Sequence, residues 1–212
     1  MNSSGIADYY VAGRPEFVSF VRESGPFDTS IDIGCAGGRL GAELLSTKIV
    51  NACDGIEPFP AAAALARDLL RQVWHGTFET VVNEVPWHDY ELLVMADVLE
   101  HLADPWTVLR QLHEKTAPNC RLALSVPNVR HYKVVLPLLF RDEFRYRDHG
   151  IMDRTHLHFY TRSSIIETLS ECGWKVTRLG SHMKKSYRRQ YFPTRLLEPF
   201  LAVQYLLVAE KK

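Results

Sequence analysis

Apolar residues along this chain follow two alternating rhythms. Ser30-Ile31-Asp32-Ile33, Ile49 to Ile56, Gln72 to His75, Glu91 to Ala96 and Arg121 to Val126 are short apolar-rich runs, each followed by a glycine, an acid or a proline. Runs of this kind read as strands buried on both faces of a parallel sheet. Between them, apolar positions fall three or four apart: Leu40, Leu44 and Leu45, then Leu65 and Leu69, then Val108, Leu109 and Leu112, then Ile165, Ile166 and Leu169. This is helical spacing, and the last two groups read as the inward faces of their helices. Asp104 followed by Pro105 is a helix start, and Thr161 or Ser163 caps another. A helix is also predicted over 6–24, with Phe17, Phe20 and Val21 on one face. Trp174 to Leu179 and Leu201 to Ala209 read as two late strands. This order predicts an α/β fold: a doubly wound, seven-stranded sheet with helices on both faces. Residues 141 to 160 follow neither rhythm, and a long irregular insertion in a compact domain is commonly a lid.

At 212 residues, with 46% hydrophobic composition, the chain is read as a single domain spanning 1–212. Within it, 1–27 reads as an N-terminal helical flap, 128–160 as a lid and 180–200 as a basic crossover loop. A formal net charge of +0 gives no global pull toward nucleic acid, and no nucleic-acid partner is expected. The four cysteines, at 35, 53, 120 and 172, form no C-x-x-C pair, so they read as reduced thiols. The N-terminus lacks the pattern of a signal peptide, and Val134 to Phe140 is too short to span a bilayer. A cytoplasmic location and no transmembrane segment are expected. Residues 172 to 197 carry Lys175, Arg178, Lys184, Lys185, Arg188, Arg189 and Arg195 with no Asp or Glu. They are either a solvated crossover loop or a reader of phosphate on the acceptor.

Candidate chemistry concentrates where strands end. Asp32-Ile33-Gly34-Cys35-Ala36-Gly37-Gly38 is a small-residue turn between the first strand and a helix. Such a turn lets a ligand approach the backbone and aims helix N–H groups at it. Glu57 closes the second strand about 20 residues later, the offset at which an acid meets a ribose hydroxyl in nucleotide-binding βαβ units. The turn lacks the dinucleotide fingerprint, because Ala36 and Arg39 stand where glycines would be needed.

This turn resembles motif I of the class I S-adenosylmethionine (SAM)-dependent methyltransferases, with Ala36 in place of a glycine. Gly55-Ile56-Glu57-Pro58 is similar to that family's second motif. Ala96-Asp97-Val98-Leu99-Glu100-His101-Leu102-Ala103-Asp104-Pro105 is similar to the segment after its fourth strand. The resemblance spans roughly residues 9 to 180. It implies a Rossmann-like methyltransferase fold, with SAM as cofactor and S-adenosyl-L-homocysteine as product. It further implies that Tyr10 and Arg14 cover the pocket, that Asp32, Gly34, Cys35, Ala36 and Gly38 receive the methionine portion, and that Glu57 with Pro58 takes the ribose. Thr77 and Phe78 are placed for the adenine. Ala96 and Asp97 lie beside the methionine amino group, and His101 is counted among the cofactor-binding residues. Glu100 reads instead as a helix-start charge.

Ser125-Val126-Pro127-Asn128 and the run Gly150-Ile151-Met152-Asp153-Arg154-Thr155-His156-Leu157-His158-Phe159-Tyr160-Thr161 resemble bacterial methyltransferases of polysaccharide, O-antigen and other sugar pathways. That likeness implies O-methylation of a sugar or glycan-pathway intermediate. Two alternatives stand beside it: a methyltransferase for a phenolic or quinone-type small molecule, and a SAM-binding subunit without catalysis. A hydroxyl acceptor needs a base. His156 is the first candidate, with Asp153 as its orienting carboxylate and His158, His131 and His101 in reserve. For each histidine a ring bonded to backbone is the competing reading. No His or Asp spacing demands a metal. The acceptor is expected to be a small molecule or glycan, and the oligomeric state, homodimer included, stays open.

Overall fold

One mixed sheet organises the chain, in a computed structural model that describes residues 13–183 and 196–212. Its strands are β1 (Phe27–Ile33), β2 (Val50–Glu57), β3 (Val73–His75), β4 (Leu92–Ala96), β5 (Arg121–Pro127), β6 (Trp174–His182) and β7 (Gln204–Lys211). They lie in the order β3-β2-β1-β4-β5-β7-β6. The first five run parallel, while β7 inserts antiparallel between β5 and β6. The order reverses between β1 and β4, so their carboxyl ends open a crevice there, where ligands bind in doubly wound sheets.

The helices are α1 (Pro15–Arg22), α2 (Arg39–Ser46), α3 (Pro60–Ala66), α4 (Phe78–Val81), α5 (Pro105–Lys115), α6 (Tyr132–Arg141), α7 (Arg162–Glu171) and α8 (Glu198–Leu201). Alternation along β4 shows how they divide. Leu92 and Val94 pack with Phe17, Leu44 and Ala66 from α1, α2 and α3. Leu93 and Met95 pack with Phe78, Leu109 and Ile165 from α4, α5 and α7. Both faces of the central strand are covered, as its uninterrupted apolar run required. The predicted caps are present. Asp104 Oδ1 accepts from the Thr107 N–H at 3.0 Å, and Thr161 forms a capping box with Ser164. Under β2, the buried Asp54 carboxylate accepts two bonds from Arg71, at 2.9 and 2.7 Å, and one from the Tyr90 hydroxyl at 2.6 Å.

Several boundaries differ from expectation. The last strand starts at Gln204 rather than Leu201, because residues 198–201 close a helical turn with Pro199 at its start. Of the helix predicted over 6–24, the described part is Pro15–Arg22, begun at a proline. Helix α6 was not anticipated, since Pro137 sits inside it. Tyr10 and the basic positions Lys184, Lys185, Arg188, Arg189 and Arg195 lie outside the described residues. Among the described residues, no helix is long and apolar enough to cross a membrane.

Candidate active site

The turn after β1 is stitched to the end of β2. The N–H groups of Gly34 and Cys35 both donate to the Ile56 carbonyl, at 2.8 and 3.0 Å. The Ala36 N–H donates to Glu57 Oε2 at 2.8 Å, and the Phe59 N–H to Glu57 Oε1 at 2.9 Å. Each carboxylate oxygen keeps further acceptor capacity. Gly34 and Gly38 are left-handed, with φ of 74° and 78°. A Cβ on Gly34 would meet Val98 Cγ2 at 2.8 Å, so this position has no room for a side chain. Ala36 is also left-handed, at φ 48°, a torsion that costs a non-glycine residue about 1–2 kcal/mol. Gly38 is the N-cap of α2 and offers no capping side chain, so the first N–H groups of the helix are left for a ligand.

Two carboxylates are buried beside this turn. Asp32 is 2% exposed and Glu57 3%. Burial pushes Asp32 up to about 7, with the Arg14 charge opposing and Glu57 adding to the rise. Burial also raises Glu57, against the pull of the Phe59 and Ala36 N–H groups.

Arg14 reaches across the ends of β4, β5 and β7. Its Nη1 lies 2.9 Å from Asp97 Oδ2, and its Nη2 contacts Ser125 Oγ at 3.1 Å and Gln204 Oε1 at 3.3 Å. Ser125 and Gln204 also donate to Asp97, at 2.8 to 3.0 Å. Asp97 is held at φ 59°, a strained torsion of the kind found where chemistry happens. Gln204 was not anticipated. It lies within a strand and gains its role only because β7 folds back beside β5.

A second cluster lies next to the first. Residues 99–101 form a 3₁₀ turn, and the Glu100 carbonyl accepts the N–H groups of Leu157 and His158 at 2.7 and 3.1 Å. The lid is thereby tied to the end of β4. His156 meets His101 edge-on with ring centroids 4.8 Å apart. His156 Nδ1 lies 3.0 Å from the Ile151 carbonyl, and His101 Nδ1 lies 3.3 Å from the Thr155 carbonyl. A carbonyl only accepts, so both Nδ1 atoms carry the hydrogen and both Nε2 lone pairs are left open. Burial holds His156 below its ordinary pKa, with the Ile151 carbonyl opposing and the His101 charge adding to the fall. Asp97 acts electrostatically on both Glu100 and His156, which marks the two clusters as neighbours. Outside His156, a surface pocket of about 460 Å³ is lined by Tyr146, Arg154, His156 and Leu157.

Residues 8–179 match the family model described as a methyltransferase domain. The chain belongs to this family. It carries a methyltransferase domain, in a fold shared with solved SAM-dependent methyltransferases. Among curated relatives, the ubiquinone biosynthesis O-methyltransferase of Pseudomonas aeruginosa (strain UCBPP-PA14) is 32% identical over 106 residues, covering 46% of this chain and 44% of the relative. That of Aeromonas salmonicida is 29% identical, covering 54% of this chain and 49% of the relative. The chain thus matches about half the length of these relatives. A SAM-dependent methyltransferase from Archaeoglobus fulgidus superimposes with a TM-score of 0.70 at 14% identity, covering 100% of both chains. A methyltransferase solved with the Haloferax volcanii Trm112 activator has a TM-score of 0.66 at 16% identity, covering 98% of this chain and 92% of that one.

The methyltransferase's residues fit SAM. Two buried carboxylates that repel each other stand beside an uncapped helix start. The cofactor brings a sulfonium, an ammonium, ribose donors and a carboxylate. Asp32, Gly34, Cys35, Ala36, Gly38, Glu57, Ala96, Asp97 and Arg14 are gathered at this end. Pro58 and Thr77 are exposed at the strand ends beyond it. Phe78 is buried, its ring packed against Trp87 with centroids 5.5 Å apart. His101 joins the histidine cluster.

Of the base candidates, His156 alone is both buried and open at Nε2. His131 caps α6, accepting the Lys133 N–H at 3.3 Å. His158 turns toward Trp106, with its Nε2 3.4 Å from the Ala103 carbonyl. Asp153 was expected to orient His156. Its Oδ1 instead accepts from the Thr155 N–H and hydroxyl at 2.9 and 2.7 Å, and the Ile151 carbonyl holds the ring. Glu100 was expected as a helix-start charge, yet it is 1% exposed and lies ahead of α5.

Proposed function

We propose that this methyltransferase transfers a methyl group to a hydroxyl oxygen of a small molecule presented in the groove beside His156. SAM supplies a methyl group on positively charged sulfur. The chain's own task is to hold the acceptor in line with that methyl group and to receive its proton. The observation that carries this reading is the pair of bonds from Leu157 and His158 to the Glu100 carbonyl. They tie the loop that carries His156 to the end of β4, close to Asp97, to which this reading gives the cofactor's amino group. Glu57 takes the ribose hydroxyls, Arg14 and Asp97 the two charges of the methionine end, and the His156 Nε2 lone pair the acceptor's proton.

For the acceptor, a phenolic or quinone-type ring is favoured. The curated relatives are ubiquinone biosynthesis O-methyltransferases, which supports an oxygen acceptor on such a ring. Phe144, Tyr146 and Phe159 form an aromatic trio on the lid, with centroids 5.6 to 6.0 Å apart, and Phe159 lies 6.3 Å from His156. Such a surface stacks a planar ring. A sugar hydroxyl is the second reading, supported by the likeness of the 150–161 run to sugar-pathway methyltransferases. The test is transfer from labelled SAM to a panel of catechols, hydroxyquinones and nucleotide-linked sugars. Turnover on phenols supports the first reading, and turnover confined to sugars the second. Transfer only to nitrogen or carbon acceptors overturns both.

A further inference from the structure

We propose that Glu100, His101 and His156 form a binding site for one divalent transition-metal cation, open on the side of the acceptor groove. One ligand atom from each residue lies within 4.8 Å of the other two. Ligand atoms at ~2.0–2.2 Å from an ion in tetrahedral arrangement are about 3.3–3.6 Å apart. Side-chain movement of about 1 Å therefore closes the set on a metal.

The independent observation is the state of Glu100. Both carboxylate oxygens are buried, and neither has a hydrogen-bond partner among the described residues. A carboxylate without donors inside a protein is costly and calls for a counter-charge or a proton. Nothing about the turn itself forces this, because its backbone is already tied to the lid through the Glu100 carbonyl. The histidines supply the rest of the pattern. Each donates Nδ1–H to a backbone carbonyl, which fixes the tautomer and leaves Nε2 as the ligand atom. This is the outer hydrogen bond that metal-bound histidines ordinarily make. One carboxylate and two imidazoles, with open positions for solvent or substrate, suit zinc, manganese or iron in the divalent state rather than magnesium or calcium.

The site extends the reading of an O-methyltransferase and rests on it for its purpose. A hydroxyl coordinated at the open face becomes more acidic, its O–H bond breaks, and the proton passes to solvent through the groove. With the ion bound, His156 is its ligand and the ion takes over the acidifying of the acceptor; without the ion, the Nε2 lone pair keeps the part given above. An acceptor with two adjacent oxygens, such as a catechol or a vicinal diol, would chelate the ion.

The test is metal binding to the full chain, measured without turnover. Protein stripped with a chelator is dialysed against ZnCl₂ and, separately, MnCl₂, and bound metal is counted by mass spectrometry. One ion per chain is expected, with at least tenfold weaker binding in Glu100→Gln and in His101→Ala. Thermal melts add a crossover. In the stripped state Glu100→Gln melts at or above the wild type, because it removes an unpaired buried charge. At a metal concentration a hundredfold above Kd, the wild type gains about 5–10 °C and Glu100→Gln does not. Absence of stoichiometric metal, or equal binding and equal melting shifts in both variants, overturns the proposal. Methyl transfer to a hydroxyl by protein that takes up no stoichiometric metal on reloading rejects the metal site and leaves the O-methyltransferase reading standing. Metal bound at this site without transfer to any hydroxyl does the reverse.

Discussion

The two halves of the crevice are built differently. At the ends of β1 and β2, the site is made by backbone: left-handed turns, N–H groups on Glu57, and an uncapped helix start. At the lid, it is made by side chains that arrive from separate segments, with Glu100 and His101 from the turn after β4 and His156 from the loop before α7. A backbone-built site needs particular residues in one short stretch and tolerates little else. A side-chain-built site needs only that two stretches meet. The first should bind the invariant part of the reaction, and the second should determine which acceptor is used.

That contrast can be broken by substitution. The largest effect is expected at the lid. His156→Ala should lower turnover by about 10²- to 10⁴-fold while SAM affinity stays within about twofold, read by calorimetry alongside saturating kinetics. Equal loss of affinity would mean that the two regions act as one.

Next comes the crowded turn. Gly34→Val places a branched side chain at φ 74° against Val98 and should cost about 2–3 kcal/mol of stability by denaturant melt. Full retention of stability would show that the turn is looser than its contacts indicate.

A third test uses pH. Asp32 has a native pKa of about 7, well above its unfolded value of about 3.9. Between those values the native state holds a proton that the unfolded chain has lost. This contribution is complete below about pH 4 and disappears as pH rises through about 7. Ligand-free protein should therefore melt at a lower temperature at pH 8 than at pH 5, and Asp32→Asn should flatten that slope while weakening SAM binding. An unchanged slope would place the charge elsewhere. The smallest effect is expected for Ala36→Gly, which relieves a left-handed alanine and should stabilise the protein by about 1 kcal/mol without loss of SAM affinity.

The same contrast explains what the sequence disclosed. Gly34, Gly38 and Glu57 were legible because the geometry they serve is local, a turn and a strand end separated by one βα unit. The parallel strands and the Asp104 and Thr161 caps were legible for the same reason. Glu100 was not, because a carboxylate ahead of a helix ordinarily faces solvent, whereas this one is 1% exposed beneath a turn that the returning lid bonds to. Asp153 follows the same rule in reverse. Three residues from His156 in sequence, it looked like the orienting group, but its carboxylate closes the local turn on Thr155 and a carbonyl holds the ring. Gln204 acquired its contact with Asp97 from strand order, which no local pattern encodes.

The most direct test measures one binding constant and one rate in two variants. SAM affinity and turnover at saturating SAM are determined for Glu57→Gln and His156→Ala beside the wild type. Division of labour between the two halves predicts that Glu57→Gln weakens SAM tenfold or more with turnover within a few-fold of wild type, and that His156→Ala does the opposite. Loss of the same parameter in both variants, or undiminished SAM affinity in Glu57→Gln, would contradict it.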